Sequence, residues 1–81
     1  MKVSVDISLY PLHQEYLPPI KSFIETLRKS EFKVLENNLS TQVYGDYDRV
    51  MEFLSKHIKE VFFDESMYVF VLKIIKGDRS E

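Results

Sequence analysis

Val3, Val5, Ile7 and Leu9 alternate with Lys2, Ser4, Asp6, Ser8 and Tyr10. This period of two predicts a strand over Lys2 to Leu12, with one apolar face and one small, polar or phenolic face. The pattern then changes. Ile20, Phe23, Ile24 and Leu27 recur at i, i+3, i+4 and i+7, the stripe of an amphipathic helix. It begins near Leu17 or Pro18, since proline is tolerated in a first turn, and ends near Ser30, with Arg28 and Lys29 suited to the helix dipole. Phe32 to Glu36 reads as a short strand. Asn37 and Asn38 tolerate left-handed backbone and suggest a tight hairpin into a third strand, Leu39 to Tyr44, closed by Gly45. Asp46 suits an N-cap for a second helix from Tyr47 to about Val61, whose buried stripe is Val50, Phe53, Leu54, His57 or Ile58, and Val61. Beyond Asp64, Glu65 and Ser66, the longest apolar run, Met67 to Ile75, predicts a well-buried strand.

Strand, helix, strand, strand, helix, strand, joined by right-handed crossovers, gives an α+β fold. It is the ferredoxin-like βαββαβ sandwich, with an antiparallel sheet in the order 4-1-3-2 and both helices on one face. Residues 1–76 form the single domain, and Gly77 to Glu81 a polar tail expected to fray. Two helices leave the other face of the sheet open. That face presents Ser4, Asp6, Ser8 and Tyr10, then Ser40, Gln42 and Tyr44, then Val69, Val71, Lys73 and Ile75. Apolar area of this extent rarely stays in water, so a second subunit is expected to pack there or on the sheet edge.

Length strengthens that expectation, because 81 residues build only a small core. Charge narrows the partners: 11 basic and 13 acidic residues show no basic stripe, which argues against nucleic acid. No apolar run approaches the roughly 20 residues of a membrane span. The absence of cysteine rules out disulfides, thiolate catalysis and Cys-ligated metals, and sits comfortably with a reducing cytoplasm. A strand starting at Lys2 leads us to expect no signal peptide. The expectation is a small cytoplasmic domain.

In the deduced topology the first and third strands are antiparallel neighbours. Ser8 and Tyr10 therefore approach Asn38, Ser40 and Thr41, and the start of the fourth strand at Met67 and Tyr68 arrives at the same rim. So do the free N–H groups of the first helix. Hydroxyls, amides and an aromatic ring converging at one end suit a small planar heteroaromatic ligand. The plainer reading is that strand Ser and Thr pair across the ladder and Tyr10 fills a subunit contact. Asp6 in a central strand needs a partner, and Lys73 is placed to be one. His13 and His57 lie on different elements with no metal-ligand spacing; His57 reads as a helix-face residue beside the core, and His13 as a neighbour of the rim. No nucleophile–base pair or glycine-rich phosphate loop is visible, so neither metal, cofactor nor catalysis is expected. An enzyme would have to draw its general base from Asp6 or His13.

The segments SLYPL (Ser8 to Leu12) and LSTQVYGDYDRVM (Leu39 to Met51), with the Phe70–Val71–Leu72–Lys73 run, resemble the YkoF-like thiamine-binding family. The resemblance extends from about Val3 to Ile75. It implies a ferredoxin-like subunit that forms homodimers or homotetramers. It also implies non-catalytic binding of thiamine or its hydroxymethylpyrimidine half. By position it assigns ligand contact to Ser8, Tyr10, Ser40 and Thr41, with Asn38 beside them. The rival from another class is a structural or regulatory oligomerisation domain that senses some other small metabolite.

Overall fold

The computed structural model describes residues 1–37 and 39–80. The elements are β1 (Lys2–Pro11), α1 (Leu17–Arg28), β2 (Lys33–Glu36), β3 (Thr41–Asp46), α2 (Tyr47–Val61) and β4 (Tyr68–Lys76). The four strands form one antiparallel sheet in the order β2-β3-β1-β4, which is the ferredoxin-like order expected. Register fixes the faces. Val5 lies opposite Val43 and Ile74, while Asp6 lies opposite Gln42 and Lys73. Side chains that share a row share a face, so the aliphatic set of β1 points toward the helices and the polar set away from them.

The covered face holds the core. Val3, Val5, Ile7 and Val43 from the sheet pack with Phe23 and Leu27 of α1 and with Val50 and Leu54 of α2. Leu9, Phe32, Val34, Phe53, Ile58, Val61 and Phe70 surround that cluster. Gly45 is required by close approach: a Cβ there would come within 2.7 Å of the Phe32 ring. Arg28 in the last turn of α1 donates from Nε and a terminal nitrogen to both carboxylate oxygens of Glu36, at 2.7 and 2.8 Å, and so clasps the helix end to the edge strand.

Four local expectations change. β4 is not a well-buried strand. It is an edge strand, and Val69, Val71, Leu72, Ile74 and Ile75 are all exposed because the helices lie over β1 and β3. Asp46 occupies the N-cap position of α2 but makes no side-chain capping bond. Asn37 turns the hairpin through its side chain: Oδ1 accepts from the amides of Leu39 and Ser40 at 2.8 and 3.0 Å. As far as Arg79 the tail is pinned rather than frayed, since Ser4 Oγ donates to the Gly77 carbonyl at 2.7 Å and accepts from the Arg79 amide at 2.8 Å.

Candidate functional site

The β1–β3 ladder stops at Ile7–Thr41, whereas the β1–β4 ladder continues to Pro11–Tyr68. From Ser8 to Tyr10, β1 is therefore paired on one side only. α1 crosses the covered face at this level, and the β2–β3 turn closes round from the other direction. The three together enclose a cavity of about 210 Å³. Its apolar wall is Ile7 and Leu9 of β1 with Ile20, Phe23, Ile24 and Leu27 of α1. Its polar edge is Ser8, Tyr10, Asn37, Ser40 and Thr41, with Leu39 beside them.

Four of the five residues singled out from the sequence thus border one cavity. Asn38 lies outside the described residues. Thr41 faces the helices, in the row of Ile7, and is only 7 % exposed. Its side chain borders the cavity, and so brings a hydroxyl and a methyl group to that wall. The Ser40 hydroxyl accepts from Gln42 Nε2 at 2.7 Å, which leaves its own proton free to donate. Tyr10, 52 % exposed, lies on the open face by alternation and borders the cavity where the ladder ends. Ser8 does the same two rows earlier.

Several groups expected near this rim stand elsewhere. Met67 and Tyr68 reach the same end of the sheet on the far side of β1, and neither borders the cavity. Pro18 and Pro19 in the first turn of α1 line a separate depression between the helices and have no N–H to offer, while Ile20 of the same turn borders the cavity. His13 packs edge-on against Tyr68, with ring centroids 5.3 Å apart, and stays outside the lining. His57 sits on α2 with Nδ1 2.6 Å from Glu60 and its ring against Phe53, which is the helix-face role expected of it. The Asp6–Lys73 pair is not formed. Asp6 Oδ1 is buried without a hydrogen-bond partner, although Lys73 lies opposite in the ladder.

The sequence reading missed Ile20, Ile24 and Leu39 as lining. The helix stripe was read entirely as core, and only the packing shows that its upper part faces a void. The chemistry of the cavity follows from what surrounds it. Among the described residues no carboxylate, ammonium, guanidinium or imidazole group borders it. Aliphatic walls with hydroxyls and a strand edge favour a neutral ring that exchanges hydrogen bonds in its plane. They disfavour phosphate, which needs cationic or clustered amide donors. Among the described residues no cluster of His, Cys, Asp or Glu could hold a metal ion, and no helix is long and apolar enough to cross a membrane.

Residues 2–74 match the model of the YKOF-related family. Three solved structures share the fold. A Streptococcus pneumoniae protein superposes with a TM-score of 0.87 at 22 % identity, covering 98 % of this chain and 90 % of its own. A Thermotoga maritima protein named as a "putative thiamine biosynthesis/salvage protein" gives 0.83 at 21 % identity, with 95 % and 85 % covered. A hypothetical protein from Methanocaldococcus jannaschii gives 0.79 at 28 % identity, with 99 % and 84 % covered. No curated protein matches the chain.

Proposed function

Because the chain belongs to the YkoF-related family, we propose that it binds thiamine or the hydroxymethylpyrimidine half of thiamine, without catalysis, as a cytoplasmic homo-oligomer. One observation carries the reading: the hydroxyls of Thr41 and Ser40 stand together on the wall of a neutral cavity, with Ser40 accepting from Gln42 and so keeping its own proton to donate. An aminopyrimidine offers both ring-nitrogen acceptors and an amino donor in one plane. Ser40 donates to a ring nitrogen, Thr41 exchanges a bond with the amino group or a second nitrogen, and Tyr10 supplies an aromatic wall. At about 210 Å³ the cavity falls below the roughly 300–1,000 Å³ of sites for drug-sized molecules. It therefore takes one small ring, and the thiazolium of thiamine stays outside the cavity.

The lining supplies no general base, which supports binding without turnover. The thiamine-related name of the Thermotoga neighbour supports the ligand class. Isothermal titration calorimetry with thiamine, then with hydroxymethylpyrimidine, tests the proposal. Saturable binding of either at micromolar or lower concentration is the expected result, with the smaller ligand retaining most of the affinity. Silence from both overturns the reading and favours the metabolite-sensing alternative.

A further inference from the structure

The depression between α1 and α2 has a volume of about 630 Å³, within the roughly 300–1,000 Å³ of sites that take small molecules. Pro18, Pro19 and Phe23 form its α1 side. Val61 at the end of α2, Phe63 in the following loop and Tyr68 at the start of β4 form the other. Phe63 is 74 % exposed and takes no part in the core. A lone exposed phenylalanine is ordinary. One that shares a hollow with a tyrosine, a second phenylalanine and the carboxylates of Glu60 and Asp64 has a definite chemistry around it.

Both carboxylates are held by donors of their own chain. The Tyr68 hydroxyl donates to Asp64 Oδ2 at 2.6 Å, and the Ser66 amide to Oδ1 at 2.8 Å. The bond from Tyr68, with that from Ser66, keeps the Asp64 carboxyl below its ordinary value of 3.8, so it is anionic at neutral pH. His57 Nδ1 lies 2.6 Å from Glu60 Oε1. A carboxylate has about four acceptor positions, so each keeps room for another donor. Thr26 Oγ1, which donates to the Ser22 carbonyl at 3.1 Å, can accept as well. No fixed cation answers these acceptors. Among the described residues no lysine or arginine lines the hollow, although Lys21, Lys56 and Lys59 lie on the same two helices.

We propose that this hollow binds a small organic primary amine as its ammonium ion, with the charged head at Glu60 and Asp64 and an apolar body against Phe63, Tyr68 and the two prolines. The faces of aromatic rings attract a cation, and an ammonium brings three donors to the carboxylates and Thr26. The same charges repel an anion. A metal ion is a poor occupant, because His57, Glu60 and Asp64 do not converge: among the described residues no group of three such side chains could hold one. The site is separate from the pyrimidine cavity. Phe23 borders both, but the hollow takes no lining residue from β1 or β3. The proposal therefore does not depend on what the cavity binds.

The test titrates the isotope-labelled chain with phenethylammonium, and with phenethyl alcohol as its uncharged counterpart, following the backbone amide resonances. Saturable shifts at Thr26, Glu60, Asp64 and Tyr68, with none at Ser40 and Thr41, are expected from the ammonium at millimolar or lower concentration. The alcohol should bind about tenfold more weakly. Glu60→Gln, Asp64→Asn and Phe63→Ala, each at an exposed position, should each weaken the amine about two- to fivefold. None of the three borders the cavity, so their affinity for hydroxymethylpyrimidine should match the wild type. Added salt should weaken the amine further. Four results overturn the site: no saturable shift through the millimolar range, an alcohol that binds as well as the ammonium, shifts centred on Ser40 and Thr41, or wild-type amine affinity in all three variants. A chain that takes the amine but neither thiamine nor hydroxymethylpyrimidine overturns the proposed function and leaves this site standing.

Discussion

The two faces of this sheet are made from the same strands and differ in completeness. On the covered face the helices close the rows over β1 and β3: Val5 and Val43 meet Leu27, Val50 and Leu54, all nearly or fully inaccessible. The charge that belongs to this side sits at its rim, where Arg28 and Glu36 find each other. On the open face the same strands place a carboxylate and an ammonium in one row with no ion pair between them, among exposed valines. The covered face is finished by folding. The open face, and the cavity at the end where the β1–β3 ladder stops, are left uncovered by folding.

The largest expected effect comes from damaging the finished side. Leu54 is 1 % exposed on α2 and does not border the cavity, so Leu54→Ala removes core packing without touching the site. A loss of about 2–5 kcal/mol in unfolding free energy is expected from urea denaturation. For an 81-residue chain that is a large share of the total stability. A loss well below about 1 kcal/mol would mean that the covered face is not where this chain stores its stability, and the contrast would fail.

Much of that contrast was legible in the sequence. Alternation from Lys2 to Tyr10 states which residues share a face, and the element order states which face the helices take. The same reasoning brought Ser8, Tyr10, Ser40 and Thr41 to one end of the sheet. Register was not legible. Whether β1 and β3 stay paired past Ile7 depends on the length and turning of the Asn37–Ser40 connection, and the cavity exists because they do not. Periodicity could not separate Phe23 from Ile24 either, since both lie on one helical stripe while one is packed and the other is only partly covered. The reading of β4 failed for a related reason: an apolar run records that a strand needs cover, not that its own chain provides it.

Thr41 sharpens the comparison, because it lies on the covered face yet belongs to the unfinished part of the molecule. Valine has nearly its shape and lacks its hydroxyl. Thr41→Val is therefore expected to leave the melting temperature unchanged or slightly raised. The ligand dissociation constant should rise about five- to tenfold, the scale of one hydrogen bond. A variant with wild-type affinity removes Thr41 from the site. A variant that loses stability instead assigns its hydroxyl to the fold.

The smallest expected effect lies at the rim, and its sign is fixed by the direction of a titration. The guanidinium of Arg28, hydrogen-bonded at Glu36, holds that carboxyl below its ordinary value of 4.5. A carboxyl whose pKa is lower folded than unfolded stabilises the fold above the ordinary value, and loses that contribution as pH falls through its depressed folded value. Glu36→Gln abolishes the charge at every pH. The wild-type advantage in melting temperature should accordingly be greatest at neutral pH, shrink as the solution is acidified below 4.5, and vanish in strong acid. It should also diminish with added salt, because both partners are exposed and an exposed pair is screened. An advantage that grows on acidification would contradict the pairing. A rim charge matched within its own chain should respond to pH and salt, and not to protein concentration.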